Sequence, residues 1–225
     1  MSDLERFTEQ SRRICKANTV NELPSLIERG GVKNAYIELP PHKYAKEFET
    51  LGVNELKGFD HISTYTTQYE KESFETLLGK LLQNKKVNRE LREAILAQYR
   101  ELQEIFHDYE ICGVSISGVT QSYVDDDEWH ADEGGGIEYG LSRSRVIVNL
   151  GGKPTEHADN IEGVNAVSPK GRVISVHRIS EGEKSVEKVS LGDYHRRPTP
   201  EQPRLILILD IIKKARSPQA REFRT

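Results

Sequence analysis

Two short motifs in this chain pair a histidine with an aspartate at a spacing that suits a metal ion. His130-Ala131-Asp132 lies between an acidic run and three glycines, and His157-Ala158-Asp159 has the same form. On an extended strand, residues i and i+2 point to the same face, so both side chains of such a motif reach one ion. Two imidazoles and one carboxylate on one side of an ion leave the other positions open for substrate and oxygen. Either motif therefore predicts part of a facial metal site.

The surrounding sequence favours the first motif. With 7 histidines and 36 acidic residues in the chain, roughly one such pair is expected by chance, so the motif needs further support. After His130-Ala131-Asp132 comes Arg145–Leu150, an apolar segment that predicts a strand running back through the core. The second motif lies within Gly151–Asn160, whose glycine, proline and asparagine residues indicate a loop.

A further ligand is expected from a distant strand end, and His195 stands before the apolar segment Arg204–Ile211. An arginine that opens such a strand is costly to turn inward unless it meets an anion, so Arg204 is predicted to bind a carboxylate near the metal. His177, with Lys188 as its carboxylate receptor, is the rival pair. His195 is favoured because Arg204 begins a long apolar strand, whereas Lys188 lies in a short charged one.

The elements that position these residues are helical first and extended later, which predicts an α+β class. Apolar spacing and caps predict helices from Ser2 to about Asn18, over Glu22–Glu28, from Glu70 and after Asn88, with one strand at Val32–Leu39. Segments rich in Val and Ile then predict strands at Ile111–Val119, Arg145–Leu150, Arg172–Arg178, Val186–Leu191 and Arg204–Ile211. Strands at this density predict a sandwich or small barrel, with the first-half helices packed against one sheet.

Length and composition predict a single domain over residues 1–225. The chain has 225 residues, of which 36% are apolar and 30% charged, enough for one sizeable core. We expect a mainly helical part at 1–108, a β core at 109–212 and a basic tail at 213–225. Two isolated cysteines and the lack of an apolar signal core or an 18-residue apolar run predict a cytoplasmic protein without a membrane span. A net charge of −4 gives no reason to expect a polyanionic partner.

The C-terminal half resembles the Fe(II)- and 2-oxoglutarate-dependent dioxygenase superfamily. That superfamily carries His-x-Asp, a distal His and a following Arg or Lys on a double-stranded β-helix (jelly-roll), and the matching residues are His130, Asp132, His195 and Arg204. The resemblance implies that the first three bind Fe(II), that Arg204 anchors 2-oxoglutarate, and that molecular oxygen is the oxidant. It also implies oxidative decarboxylation to succinate and CO2, coupled to hydroxylation or a related oxidation of a substrate. Aspartate at position 132, in place of Ala or Gly, argues against halogenation.

A narrower likeness concerns the AlkB-like branch, in which Asn-x-Tyr precedes a Trp-His-x-Asp stretch. Tyr123 and Trp129-His130-Ala131-Asp132 resemble this arrangement, which implies that Tyr123 contacts the cosubstrate. Gln121 occupies the Asn position, and Arg204–Asp210 lacks the Asn and the second Arg of that branch. These departures argue against nucleobase demethylation.

The substrate is expected to be a small molecule, an amino acid or a peptide. The acidic run Asp125–Glu128 is either a solvated loop or, at the mouth of the site, a feature that favours a cationic substrate. Nucleic acid is not expected as a partner. The remaining alternatives are an AlkB-like nucleic-acid demethylase, a metal-dependent cupin enzyme without cosubstrate, and a non-catalytic β-sandwich binding protein. The oligomeric state is not specified by the sequence.

Overall fold

A computed structural model describes residues 14–49, 51, 56, 59, 62–65, 73–119, 129–131, 133–134, 143–159, 162–181, 194–196 and 204–214. In these ranges the helices are α1 (Glu22–Ile27), α2 (Ala45–Glu49), α3 (Phe74–Asn84) and α4 (Arg89–Ile105). The strands are β1 (Ile14–Lys16), β2 (Asn34–Leu39), β3 (Ile62–Tyr65), β4 (Tyr109–Val119), β5 (His130–Ala131), β6 (Glu133–Gly134), β7 (Arg143–Gly151), β8 (Glu156–Ala158), β9 (Arg172–Arg178), β10 (Ser180–Glu181), β11 (Tyr194–Arg196) and β12 (Arg204–Lys213). No helix in the described ranges has the length and hydrophobicity needed to cross a bilayer.

The two longest helices begin at side-chain caps and bury one apolar stripe each. Asn88 Oδ1 accepts a hydrogen bond from Leu91 N at 2.8 Å at the start of α4, as the sequence predicts. Ser73 Oγ accepts from Thr76 N at 3.3 Å at the start of α3. The buried residues recur every three or four positions: Phe74, Leu78 and Leu82 in α3, and Leu91, Ile95, Leu102 and Ile105 among those of α4. Both helices therefore pack one face onto the sheet below.

That sheet has seven strands in the order β1-β2-β9-β7-β12-β4-β3 and is mostly antiparallel. Because side chains alternate along a strand, every second residue points toward the helices. On β12 these are Leu205, Leu207, Leu209 and Ile211, which join the hydrophobic core together with residues of the neighbouring strands. The fold is thus α+β, with the helices covering one face of a large sheet.

The opposite face of the large sheet carries buried polar side chains together with buried apolar ones, among them Ile147, Val173 and Ile206. One row across it runs from Asp210 through Arg145 and His177 to Asn34, each opposite the next in register. Arg145 Nε and Nη2 donate to the Asp210 carboxylate at 2.8 and 3.2 Å. Tyr36, two residues from Asn34, belongs to the same face, and burial raises the pKa of its phenol, so the group is neutral. We call this row of residues, together with Tyr36, the polar face.

A three-stranded antiparallel sheet, in the order β5-β11-β8, is the second layer of the C-terminal half. An isolated antiparallel bridge between His157 and Val167 extends it. Along the chain, β4, β7, β9 and β12 belong to the large sheet, whereas β5, β8 and β11 belong to the small one. The chain therefore passes repeatedly between two antiparallel sheets.

Two sequence predictions about local structure are wrong. The first predicted helix does not reach Asn18, because Ile14–Lys16 forms β1 and pairs in parallel with β2. Pairing of backbone groups with a sheet outweighs helical spacing of a few apolar residues. Gly151–Asn160 is not all loop, since Glu156–Ala158 is β8, held by pairing to β11 and by the Val167 bridge. The predicted strand Val186–Leu191 and the tail from residue 215 lie outside the described ranges.

Candidate metal and carboxylate site

Each strand of the small sheet carries a histidine at the same level. In register, His195 on β11 lies opposite His130 on β5 and opposite His157 on β8. Directly opposite residues of antiparallel strands have Cα atoms about 4.5–5.5 Å apart. The His195 and His157 side chains are buried, at 7% and 0% exposure. The sheet therefore brings the predicted distal ligand beside the first residue of the predicted His-x-Asp motif.

A further imidazole reaches this row from the polar face. His177, on β9 and 2% exposed, packs edge to face on His195 with ring centroids 5.0 Å apart and planes at 82°. The His157 ring lies 5.4 Å from His177 at 81°. Asn34 Nδ2 and His157 Nδ1 are 3.2 Å apart, within hydrogen-bond distance. Imidazoles from both sheets thus meet between the layers.

Arg204 opens β12 and points inward, as its sequence position predicts. It is 6% exposed, and its Nη1 donates to Thr155 Oγ1 at 3.0 Å. Thr155 is itself 5% exposed and lies directly before β8, the strand that carries His157. A buried guanidinium is favourable only where anionic or hydrogen-bonding groups surround it. The arrangement is therefore suited to hold a carboxylate beside the strand that carries His157.

The other face of the small sheet holds a second row of side chains. Its members on the three strands are the sequence neighbours of the histidines: Trp129, Arg196 and Glu156. Arg196 Cζ lies 4.4 Å from the centroid of the Trp129 ring, and its Nε donates to Glu156 Oε2 at 2.9 Å. Glu156 Oε1 accepts from Ser168 Oγ at 2.9 Å. We call Trp129, Arg196, Glu156 and Ser168 the outer ladder. Because a one-residue slip moves every side chain to the other face, the outer ladder fixes the strand register that aligns the histidines.

Gly163 lets the loop before the Val167 bridge close over this ladder. Its φ is +76°, and a Cβ there would lie 2.5 Å from Trp129 Nε1. Gly163→Ala is therefore expected to lower the free energy of unfolding by about 1–3 kcal/mol. Thermal unfolding measures this loss, because each kcal/mol lowers the Tm of a chain of this size by about 2–4 °C. Gly30→Ala is the matched control, since no atom lies within 4 Å of its added Cβ. Equal melting temperatures of the two variants would contradict the packing of Trp129 on Gly163.

Some of the site residues predicted from the sequence lie within the described ranges, and others lie outside them. His195 and Arg204 are buried between the sheets, and the backbone of His130 lies next to that of His195. Asp132, Tyr123 and Lys188 lie outside the described ranges, as does the acidic run Asp125–Glu128. Among the described residues, no three His, Cys, Asp or Glu side chains are arranged to hold an ion.

Sequence reasoning missed three residues that the structure places beside the candidate site. His157 was not predicted as a site residue, because the segment around it was predicted to be a loop. Its His-x-Asp motif, which has the same form as that of His130, is the sequence feature that could have identified it. Thr155 and Asn34 carry no motif, because their places depend on β8 and β2 lying against other strands. His177 was identified only as a rival ligand, and its ring contact with His195 shows that the two are neighbours.

Comparisons with known proteins give a weak likeness. No family model matches the chain, and no curated protein matches it significantly. A structure of the viral collagen prolyl hydroxylase of Paramecium Bursaria Chlorella virus-1, in complex with 2-oxoglutarate, is 12% identical, with 68% of this chain and 79% of that chain covered and a TM-score of 0.33. A truncated form of the same hydroxylase is 15% identical, with 79% and 96% covered and a TM-score of 0.35. Likenesses at this level do not define the activity of the chain.

Proposed function

We propose that this protein is a non-haem Fe(II)- and 2-oxoglutarate-dependent oxygenase. The observation that carries the proposal is the register of the small sheet, which puts buried His195 directly opposite His130. In this proposal His130, Asp132 and His195 hold Fe(II), and Arg204 binds the far carboxylate of 2-oxoglutarate. Tyr123 is a further cosubstrate contact, by the resemblance of its surrounding sequence.

The sheet topology supports a double-stranded β-helix for the C-terminal half. Four strands of the large sheet, in the order β9-β7-β12-β4, face a small sheet in the order β5-β11-β8, which the Val167 bridge extends. All the pairings among these strands are antiparallel. Two facing antiparallel sheets between which the chain repeatedly crosses are typical of a jelly-roll. We therefore propose that the seven strands of these two sheets, β4, β5, β7, β8, β9, β11 and β12, form this core.

The donor set fits Fe(II). Two imidazoles and one carboxylate are the facial triad of non-haem Fe(II) oxygenases, which leaves positions open on the ion. His130 and His195 stand on adjacent strands at the same level, and Asp132 follows His130 at the spacing that returns to the same face of a strand. The buried environment of His195 keeps bulk water away from that part of the site.

Arg204 and Thr155 have different roles in the proposed binding of the cosubstrate. Fe(II) and 2-oxoglutarate, when bound, supply oxygen activation, with release of succinate and CO2 as the substrate is oxidised. Arg204 offers a guanidinium that pairs with a carboxylate through two parallel hydrogen bonds. Thr155, 3.0 Å from Arg204 Nη1, orients that guanidinium and has a hydroxyl of its own to donate. We propose that the substrate is a small molecule, an amino acid or a peptide.

Anaerobic spectroscopy tests the proposal. Purified protein loaded with Fe(II) under anaerobic conditions is expected to develop a metal-to-ligand absorption band when 2-oxoglutarate is added. Succinate is then expected to form on admission of oxygen, slowly without the substrate. Glutarate, which lacks the keto group, is the matched control and is expected to give no band. Absence of the band at saturating Fe(II) and 2-oxoglutarate would overturn the proposed function.

A further inference from the structure

Four buried residues, one of them the proposed distal ligand His195, form a closed cycle of neighbours. His177 lies opposite Asn34 in the large sheet, and His195 lies opposite His157 in the small one. Two contacts cross between the sheets: the His177 ring on the His195 ring at 5.0 Å, and Asn34 Nδ2 on His157 Nδ1 at 3.2 Å. All four residues are at most 7% exposed. We call them the imidazole brace.

The composition of the brace is unusual for an interior between two sheets. Polar side chains are costly to bury unless they are hydrogen-bonded, and apolar residues fill such space at lower cost. Three imidazoles and an amide at this point are therefore explained better by a function than by packing alone. His177 and His157 are not part of the proposed metal triad, which leaves their role to be assigned.

Ring geometry indicates that role. Edge-to-face contacts at about 4.5–7 Å between centroids restrict the relative planes of two rings. His177 meets His195 at 82° and His157 at 81°, so its plane is constrained by two rings at once. A ligating imidazole must aim one nitrogen at the ion, so its ring plane has to be fixed before the ion binds. His177, on the large sheet, contacts the ring of His195 directly.

We infer that His177, braced by His157 and Asn34, is a positioning residue that sets the plane of the His195 ring for metal binding. The inference rests on the proposed function, because it takes His195 as a ligand. It assigns the two additional imidazoles to orientation of that ligand. The brace also ties the ligand-bearing strand β11 to the large sheet, so that the ligand does not depend on its three-residue strand alone.

Substitution of His177, with Co(II) as the probe, tests the inference. His177→Leu removes the aromatic ring and is expected to weaken Co(II) binding by roughly 10–100-fold, the range for loss of an outer-shell partner. It is also expected to shift the visible Co(II) absorption band, which a change in fold stability alone does not do. His177→Phe keeps the ring and is expected to restore affinity to within about threefold and to restore the band.

Two further variants make the outcome decisive. Ser175→Ala, two residues away on the same face of β9, is the matched control and is expected to leave the Co(II) spectrum unchanged. Asn34→Leu removes the amide that braces His157, and it is expected to shift the band in the same direction as His177→Leu. If His177→Leu fails to fold, the spectrum of Asn34→Leu tests the positioning role in its place.

Results for the wild type test the proposed function, whereas results for the variants test the positioning role of His177. If the wild type binds Co(II) and 2-oxoglutarate but His177→Leu, or Asn34→Leu in its place, has the wild-type spectrum and affinity, the positioning role is wrong and the oxygenase proposal stands. If the wild type itself binds neither probe, the oxygenase proposal is wrong. Loss of affinity in His177→Leu that His177→Phe does not restore would overturn the ring-packing explanation.

Discussion

His195→Ala is expected to abolish the absorption band that 2-oxoglutarate gives with Fe(II). His195 is buried opposite His130, and in the proposed site it supplies one of three protein ligands. Removing an outer-shell partner costs about 10–100-fold in metal affinity, so removal of a ligand is expected to cost more than roughly 100-fold. Isothermal titration with Fe(II) under anaerobic conditions measures the affinity, and succinate formation measures the activity.

The control for this substitution is another histidine. The His107 side chain is 73% exposed, so His107→Ala removes an imidazole without disturbing the layers. It is expected to bind Fe(II) and 2-oxoglutarate as the wild type does. His195→Ala protein that folds and keeps wild-type affinity for Fe(II) would exclude His195 as a ligand.

Arg204→Met is expected to separate cosubstrate binding from metal binding. Arg204 is 6% exposed, and its guanidinium donates a hydrogen bond to Thr155. It is not among the proposed ligands of the ion. Removing one partner of a buried charge pair costs about 2–5 kcal/mol, so the Kd for 2-oxoglutarate is expected to rise by at least roughly 30-fold. The affinity for Co(II) is expected to stay within about threefold, since a proposed outer contact of the cosubstrate does not bind the metal.

Arg204→Lys and Arg100→Met refine that result. Lysine keeps the charge but loses the two-pronged geometry, so an intermediate affinity for 2-oxoglutarate is expected. Arg100 is 49% exposed and pairs with Glu75 at 2.7 Å on the surface, and Arg100→Met is expected to leave 2-oxoglutarate binding unchanged. Titration of each Co(II)-loaded variant with 2-oxoglutarate measures the differences. An unchanged Kd in Arg204→Met would remove Arg204 from the cosubstrate site.

Much of the fold follows from local patterns in the sequence. Capping at Asn88 and the apolar stripe after it predict α4, and the run Arg204–Ile211 predicts most of β12. These elements bury a continuous apolar face, which has the same period in the sequence as in the structure. The sequence also predicts the inward position of Arg204. The residue begins an apolar strand, and an arginine there is buried at low cost only where it meets an anion or a hydrogen-bond acceptor.

The rest depends on pairings between distant segments. Nothing near His157 in the sequence indicates that Glu156–Ala158 is a strand, because the element has three residues and is defined by its partners β11 and Val167. The same holds for Ile14–Lys16, which becomes extended through parallel pairing with β2. Short elements have too few residues for a periodic pattern, so tertiary contacts determine them.

The contact between Asn34 and His157 has a consequence for how the site comes into being. It joins residues 123 positions apart in the chain, and closing so long a loop costs entropy before any contact compensates it. We therefore expect the brace to form late in folding, since it needs β2 to be paired with β9. Residues 109–214 produced without β2 would lack Asn34, so this segment is expected to be a poor substitute for the full chain in metal binding. Strand β2 is in this sense a part of the proposed site and not only of its support.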